Sequence, residues 1–179
     1  QDVPDLPIVP INRPAEGRYE PRTVTLMEPH SVDPDACPVG EVRAESGRAA
    51  VAYIERACDL CLSSEAAAMV TAPINKDAIH RAGSPYAGHT ELLAARTGAD
   101  RVTMLLTGPT LRVVHVSTHV SLAEAIRQVT PERVGEVIEL AYQGCRALGI
   151  PHPRIAVAGL NPHAGEEGLF GDQEREAIQ

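Results

Sequence analysis

Beyond residue 45 the sequence alternates between two periodicities, and this alternation limits the folds open to the chain. Residues 46–62 and 131–148 place apolar side chains every three or four positions, which predicts helices with one buried face. Short apolar runs at residues 66–72, 102–106, 111–118 and 155–158 predict strands, and Gly108-Pro109 predicts a turn that makes an antiparallel hairpin of the middle two. Helices that alternate with buried strands predict the α/β class.

The first 45 residues have a different character because they contain eight prolines. Proline lacks the backbone N–H that strands and helices use, so we expect an irregular arm with one short strand at residues 22–27. The sequence therefore predicts an arm at residues 1–45 and an α/β domain at residues 46–179. The chain begins without Met, and residues 172–179 form a helical pattern with no capping glycine. We accordingly expect an internal part of a longer chain.

Composition excludes some classes of partner. The formal net charge is −8, and an acidic chain is unsuited to nucleic acid, whose phosphates attract clustered Lys and Arg. The sequence has no run of about 18 apolar residues, so no membrane span is predicted. Four irregularly spaced cysteines do not suggest a secreted disulfide framework, and we expect a cytoplasmic protein.

Polar residues follow three of the predicted strands. Lys76 comes soon after residues 66–72, His119 directly follows residues 111–118, and His163 comes soon after residues 155–158. Because ligands bind at the carboxyl ends of strands in open α/β sheets, we expect these three side chains to converge if the strands are parallel.

Histidine is the commonest neutral ligand of zinc and similar divalent ions. His115 and His119 would lie roughly 13 Å apart in an extended strand and cannot share an ion, so we favour His119 at the strand end. With His163 this gives two candidate metal ligands, whereas a catalytic site commonly has three. The alternative is that both are ordinary surface or hydrogen-bonded histidines.

A glycine precedes His89 and Thr90 at the start of a predicted helix. The free N–H groups of a helix N-terminus suit an anion, so His89 and Thr90 are candidates for holding a phosphate or carboxylate. A plain helix cap is the alternative.

Taken together, these segments resemble the 4-hydroxythreonine-4-phosphate dehydrogenase family, including its paralogues that act on four-carbon sugar-acid phosphates. The resemblance runs from about Ala66 to Glu174. It is carried by four motifs in order: Thr71-Ala72-Pro73-Ile74-Asn75-Lys76, Gly88-His89-Thr90-Glu91, Leu111-Arg112-Val113-Val114 leading to Ser117-Thr118-His119, and Gly159-Leu160-Asn161-Pro162-His163-Ala164-Gly165-Glu166 with Phe170-Gly171.

The resemblance implies a two-domain fold like that of isocitrate and isopropylmalate dehydrogenases, and a homodimer with active sites at the subunit interface. It implies NAD or NADP as cofactor and a divalent metal (Zn, Mg, Mn or Co) held by three histidines. Two of these correspond to His119 and His163, and the third belongs to a His-Asp-Gln-Gly motif that this sequence lacks. His89 and Thr90 correspond to substrate-binding positions, and Lys76 to a lysine that we expect to transfer a proton or stabilise charge.

The implied reaction is oxidation and decarboxylation of 4-phosphohydroxy-L-threonine, a step of pyridoxal phosphate biosynthesis. Residues 114–121 look closer to paralogues acting on D-threonate or D-erythronate 4-phosphate, and a third branch oxidises cis-dihydrodiols. Two alternatives from other classes stay open. One is an inactive fragment that only dimerises, and the other is a metal-dependent hydrolase that uses the same histidines.

Overall fold

The structure, a computed structural model, describes residues 5–178 and divides into two compact units. The first extends to Ala99 and the second begins at Asp100. This boundary separates two compact units. The division predicted at residue 45 separates an irregular arm from an α/β domain, and it stays a prediction. Both units combine helices with a two-stranded sheet, and the predicted α/β class is confirmed. Within residues 5–178 no helix is both long and apolar enough to cross a membrane.

The proline-rich part of the first unit contains a small parallel sheet. Strand β1 (Ile8–Pro10) pairs with β2 (Val24–Leu26), and two further backbone hydrogen bonds of 2.9 and 2.8 Å flank the pair. Short 3-10 helices occupy Pro14–Glu16 and Pro34–Ala36. The strand predicted at residues 22–27 is confirmed as β2, and β1 was not predicted. Proline closes β1 at its last position, where a missing N–H is tolerated on an edge strand.

Three helices form the core of the first unit. They are α1 (Ala44–Leu62), α2 (Lys76–Arg81) and α3 (His89–Thr97). The predicted stripe of α1 is buried at Ile54 and Cys58, and these pack with Ile79 of α2 and Leu92 of α3, which are almost wholly inaccessible. Asn75 caps α2 by accepting a 2.9 Å hydrogen bond from the Ala78 N–H.

The second unit is built around a hairpin and a long helix. Strands β3 (Leu105–Thr107) and β4 (Arg112–Val114) are antiparallel, as the Gly108-Pro109 turn predicts. Helices α4 (Leu122–Arg127) and α5 (Pro131–Ala147) begin after Ser121 and Thr130, whose hydroxyls each accept a 3.2 Å hydrogen bond from a backbone N–H three residues on. A 3-10 turn at Glu166–Gly168 and the short α6 (Gln173–Ala177) complete the unit.

Two predicted strands are not formed. Residues 66–72 and 155–158 have no regular secondary structure, and Val70, Ile155 and Val157 are exposed. A strand is defined by the ladder it makes with a neighbour, and within residues 5–178 neither segment has one. The prediction of strands at these two segments is therefore wrong, because the pairing on which it depended is missing among the described residues.

Candidate active site in two parts

The start of α3 is an open helix end. Gly88 is the N-cap residue, is buried, and has no side chain with which to accept hydrogen bonds from the first N–H groups of the helix. His89 and Thr90 follow as its first two residues, with Thr90 exposed. The unsatisfied N–H groups and the positive end of the helix dipole favour an anion at this point.

His89 adds a second sign that a ligand belongs here. The ring is half-buried, and its Nε2 atom is buried without a hydrogen-bond partner among the described residues. A buried polar nitrogen without a partner costs about 1–3 kcal/mol. A bound acceptor or donor at this position would remove that cost.

Lys76 lies beside the same helix end. It is the first residue of α2, where the helix dipole disfavours a cation, so its charge is not placed there to stabilise α2. Its side chain runs past Gly88, since a Cβ built on that glycine would lie 3.8 Å from Lys76 Cε. The Lys76 side chain therefore lies beside the N-cap of the helix that His89 and Thr90 begin, and the roles expected of these three residues stay predictions.

His119 lies in the second unit, in the loop between β4 and α4. Its backbone is left-handed, with φ of 58°, and its side chain is exposed. A left-handed residue other than glycine costs about 1–3 kcal/mol, and such strain is found at functional sites. The predicted strand through residue 118 is too long, because β4 ends at Val114. The strand alternation used to relate His115 to His119 therefore does not reach His119.

The segment that leads to His119 is held from two sides. Thr103 donates a 3.0 Å hydrogen bond to the His115 carbonyl. Arg133 of α5 donates a 3.0 Å hydrogen bond to the Val116 carbonyl and a 3.3 Å hydrogen bond to the Val102 carbonyl. These bonds fix where the chain leaves β4, while His119 itself faces solvent.

The loop that carries His163 is fastened by a buried carboxylate. Glu174 of α6 is 3% exposed, and its Oε1 accepts hydrogen bonds from the Leu160 N–H at 3.0 Å and from Asn161 Nδ2 at 3.2 Å. Asn161 Oδ1 in turn accepts a 2.9 Å hydrogen bond from the His163 N–H. Two hydrogen bonds in series thus connect Glu174 of α6 through Asn161 to the backbone of His163, and a third holds Leu160.

The His163 ring is also oriented. It stacks on Phe170, the one phenylalanine of the sequence, with ring centroids 4.9 Å apart and planes 24° apart. Its Nδ1 lies 4.0 Å from Glu166 Oε2. Three residues of the loop are left-handed although none is glycine, namely Ala164, Glu166 and Glu167.

The donors fit a divalent metal in type, because exposed neutral imidazoles are suitable ligands for zinc, cobalt and related ions. Their number falls short, since no group of three His, Cys, Asp or Glu side chains in the described chain is placed to hold an ion. A groove of about 700 Å³ lined by β4, α5 and residues 150–158 contains none of the predicted site residues and is mostly apolar. It is therefore not the predicted site.

Sequence reasoning missed Glu174. The available signal was a glutamate in the first turn of a short helix after a glycine-rich loop, and that pattern is common at solvated helix ends. Its burial depends on the fold of residues 159–171 around it, which no periodicity reveals.

Comparison with known proteins supplies the family. Residues 3–179 match the family model described as pyridoxal phosphate biosynthetic protein PdxA. D-threonate 4-phosphate dehydrogenase of Cupriavidus necator is 45% identical over 93% of this chain and 50% of its own length. 4-Hydroxythreonine-4-phosphate dehydrogenase of Desulfosudis oleivorans is 44% identical over 92% of this chain and 49% of its own length.

A solved structure agrees. The crystal structure of 4-hydroxythreonine-4-phosphate dehydrogenase from Klebsiella pneumoniae superposes on this chain with a TM-score of 0.88 at 43% identity. The match covers 98% of this chain and 53% of the Klebsiella pneumoniae chain. The chain thus spans about half the length of the relatives that it matches. The predicted resemblance is confirmed, and the chain belongs to the PdxA family of pyridoxal phosphate biosynthetic proteins.

Proposed function

We propose that the protein containing this chain is an NAD- or NADP-dependent, divalent-metal-dependent dehydrogenase for a small phosphorylated hydroxy acid. The first substrate candidate is 4-phosphohydroxy-L-threonine, which would be oxidised and decarboxylated in pyridoxal phosphate biosynthesis. Membership of the PdxA family and the dehydrogenase names of relatives 44–45% identical support this proposal.

The observation that carries the proposal is the arrangement at the start of α3. A helix end without a side-chain cap, a buried His89 nitrogen without a partner and the Lys76 side chain beside Gly88 support an anionic ligand here, with the Glu91 carboxylate also close to Gly88. In the proposed roles His89 and Thr90 bind the substrate. Lys76 donates or accepts a proton, or stabilises negative charge that develops on the substrate.

His119 and His163 would supply two of the metal's ligands. When bound, a divalent ion acts as a Lewis acid that lowers the pKa of a coordinated hydroxyl and stabilises developing oxyanion charge. The chain's own part is to present the two imidazoles. The Phe170 stack orients the His163 ring, and His119 is presented from a left-handed backbone position in an exposed loop.

D-threonate 4-phosphate, or D-erythronate 4-phosphate, is the second substrate candidate. The Cupriavidus necator relative that carries the D-threonate name is as similar to this chain as the 4-hydroxythreonine relative. The described residues serve either substrate, because both are four-carbon phosphorylated acids. A cis-dihydrodiol has no phosphate, so only a carboxylate on it could serve as the anion at the helix end of α3.

For the complete protein we also propose the two-domain fold of isocitrate and isopropylmalate dehydrogenases and a homodimer with active sites at the interface. A cytoplasmic location and the absence of nucleic acid partners stay predictions from the sequence.

The proposal is tested by following NAD and NADP reduction by the complete, metal-loaded protein. The substrates are 4-phosphohydroxy-L-threonine, D-threonate 4-phosphate, D-erythronate 4-phosphate and a cis-dihydrodiol. We expect reduction with one of the phosphorylated acids and its loss after chelation. Hydrolysis of a phosphate ester without nicotinamide reduction would support the hydrolase alternative. An intact mass near 19 kDa with no reduction of either nicotinamide would support the fragment alternative.

Substitutions separate binding from chemistry. Thr90→Val removes a hydrogen bond to substrate and should raise KM by about tenfold, the effect of one lost hydrogen bond. Lys76→Met should lower kcat by about 10²-fold or more with a smaller effect on KM, as expected for a proton-transferring group. Asp77→Asn, next to Lys76 on the exposed side of α2, is the control and should leave both constants within about twofold.

A further inference from the structure

The buried carboxylate of Glu174 has no part in the proposed chemistry, yet it is the one buried charged residue of the described chain. Burying a carboxylate is costly unless hydrogen bonds compensate it. Two of its hydrogen bonds go to a single short segment, through the Leu160 N–H and the Asn161 amide. The cost of burial is therefore offset by holding that segment in place.

The segment is the one that leads into His163. Asn161 uses both ends of its amide, because Nδ2 donates to Glu174 and Oδ1 accepts from the His163 N–H at 2.9 Å. Moving or rotating the Asn161 amide would therefore displace the His163 backbone. Glu174 also lies close to the other side of the loop, since a Cβ built on Gly165 would lie 3.2 Å from Glu174 Oε2.

The loop needs such an anchor because its backbone is strained. Ala164, Glu166 and Glu167 are left-handed with φ of 49°, 43° and 56°. Strained conformations persist only when the surroundings fix them. Glu174 is the buried group that touches both ends of the strained turn, at residues 160–161 and at Gly165.

We infer that Glu174 is a positioning residue, which acts through Asn161 to set the place of His163 as a metal ligand. The inference rests on the proposed function, because it takes His163 to bind a metal. It goes further by assigning a role to a residue eleven positions away that touches neither metal nor substrate. The partners of metal ligands typically change metal affinity by about 10–100-fold when they are removed.

The test uses the complete protein stripped of metal and titrated with Co²⁺, whose visible absorption reports ligand geometry. Glu174→Ala should weaken Co²⁺ binding by about tenfold or more and alter the absorption band. Glu174→Gln keeps an acceptor oxygen for both donors and should stay within about threefold of the parent. Glu176→Gln, exposed on the same helix, is the matched control and should match the parent.

Exchanging the amide and the carboxylate between positions 161 and 174 gives a test that does not depend on overall stability. Asn161→Asp keeps the acceptor for the His163 N–H but sets a second carboxylate against Glu174, so Co²⁺ binding should weaken by about tenfold or more. Adding Glu174→Gln supplies an amide that donates to the new carboxylate and still accepts from the Leu160 N–H. The double variant N161D/E174Q should therefore recover binding to within about threefold of the parent.

The outcomes separate this inference from the proposed function. If His163→Ala loses Co²⁺ but Glu174→Ala binds it like the parent, the positioning role is wrong and the metal site stands. Failure of N161D/E174Q to recover binding also contradicts the inference. If His163→Ala binds Co²⁺ unchanged, both are wrong. Amide hydrogen exchange at Leu160 and His163 gives a readout without metal, and Glu174→Ala should accelerate it at both positions.

Discussion

At the residue scale, Gly47 shows how closely α1 and α2 approach. It is buried in the first turn of α1, and a Cβ built on it would lie 2.1 Å from the Ala78 carbonyl oxygen. That distance is far below van der Waals contact, and the obstacle is backbone rather than a flexible side chain. Because α2 begins with Lys76, the close approach also sets where this lysine emerges.

Gly47→Ala should therefore destabilise the protein by about 1–3 kcal/mol, the usual cost of overpacking a core. Gly135→Ala in α5 is the matched control, because that glycine is also helical but nothing lies within 4 Å of the added methyl group. The control should be neutral or stabilising by up to about 1 kcal/mol. Equal denaturation midpoints for the two variants would refute the packing explanation.

The candidate site residues could be named from the sequence, and their roles stay predictions, whereas their geometry could not be predicted. Lys76, His89, Thr90, His119 and His163 follow from ordered motifs and from polar residues placed after extended segments. The left-handed backbone of His119 and the burial of Glu174 result from tertiary contacts. Such contacts produce no periodic pattern in a single sequence. The grouping of Lys76 with His89 is likewise a property of helix packing.

At the element scale, an ion pair ties α1 to α3. Arg96 donates hydrogen bonds of 2.9 and 2.7 Å to the two carboxylate oxygens of Asp59, and its guanidinium lies 3.5 Å from Glu55. The hydrogen bond from Arg96 holds the pKa of Asp59 below its ordinary value of 3.8. Since α3 begins with His89 and Thr90, this pair helps to fix the helix that carries these two proposed substrate-binding residues.

The pair makes stability depend on pH in a defined direction. A carboxyl group whose pKa is lowered by folding contributes stability above its unfolded pKa, and this is lost as pH falls through the folded pKa. Arg96→Gln should therefore lower the urea midpoint at neutral pH, and its difference from the parent should shrink as pH falls below 3.8 and disappear only below the lowered pKa of the folded protein. The control Arg48→Gln removes a pair within α1 alone and should have a smaller effect at neutral pH. A difference that persists unchanged at low pH would contradict this reading.

Helices were predicted more reliably than strands at this scale, for a physical reason. A helix makes its hydrogen bonds within one segment, so α5 is specified locally by Thr130, Pro131 and its apolar stripe. A strand depends on a partner elsewhere in the chain. Residues 155–158 have a strand-like pattern, but within the described residues no ladder pairs with them.

At the scale of the whole molecule, the candidate residues are divided between the two units. The first unit carries Lys76, His89 and Thr90, and the second carries His119 and His163. The chain spans about half the length of its relatives, so the nicotinamide site and a third metal ligand belong to the proposal for the complete protein. What this chain contains by itself is an α3 N-terminus without a side-chain cap and two exposed histidines, His119 and His163.

The most direct test is the metal content of the complete protein and its single-histidine variants, measured by mass spectrometry after dialysis. We predict that His119→Ala and His163→Ala each lose most of the bound metal, because removing one of three ligands leaves too few for tight binding. His152→Ala, an exposed histidine of the same unit, should keep the parent's content. Unchanged metal content in both His119→Ala and His163→Ala would contradict the account.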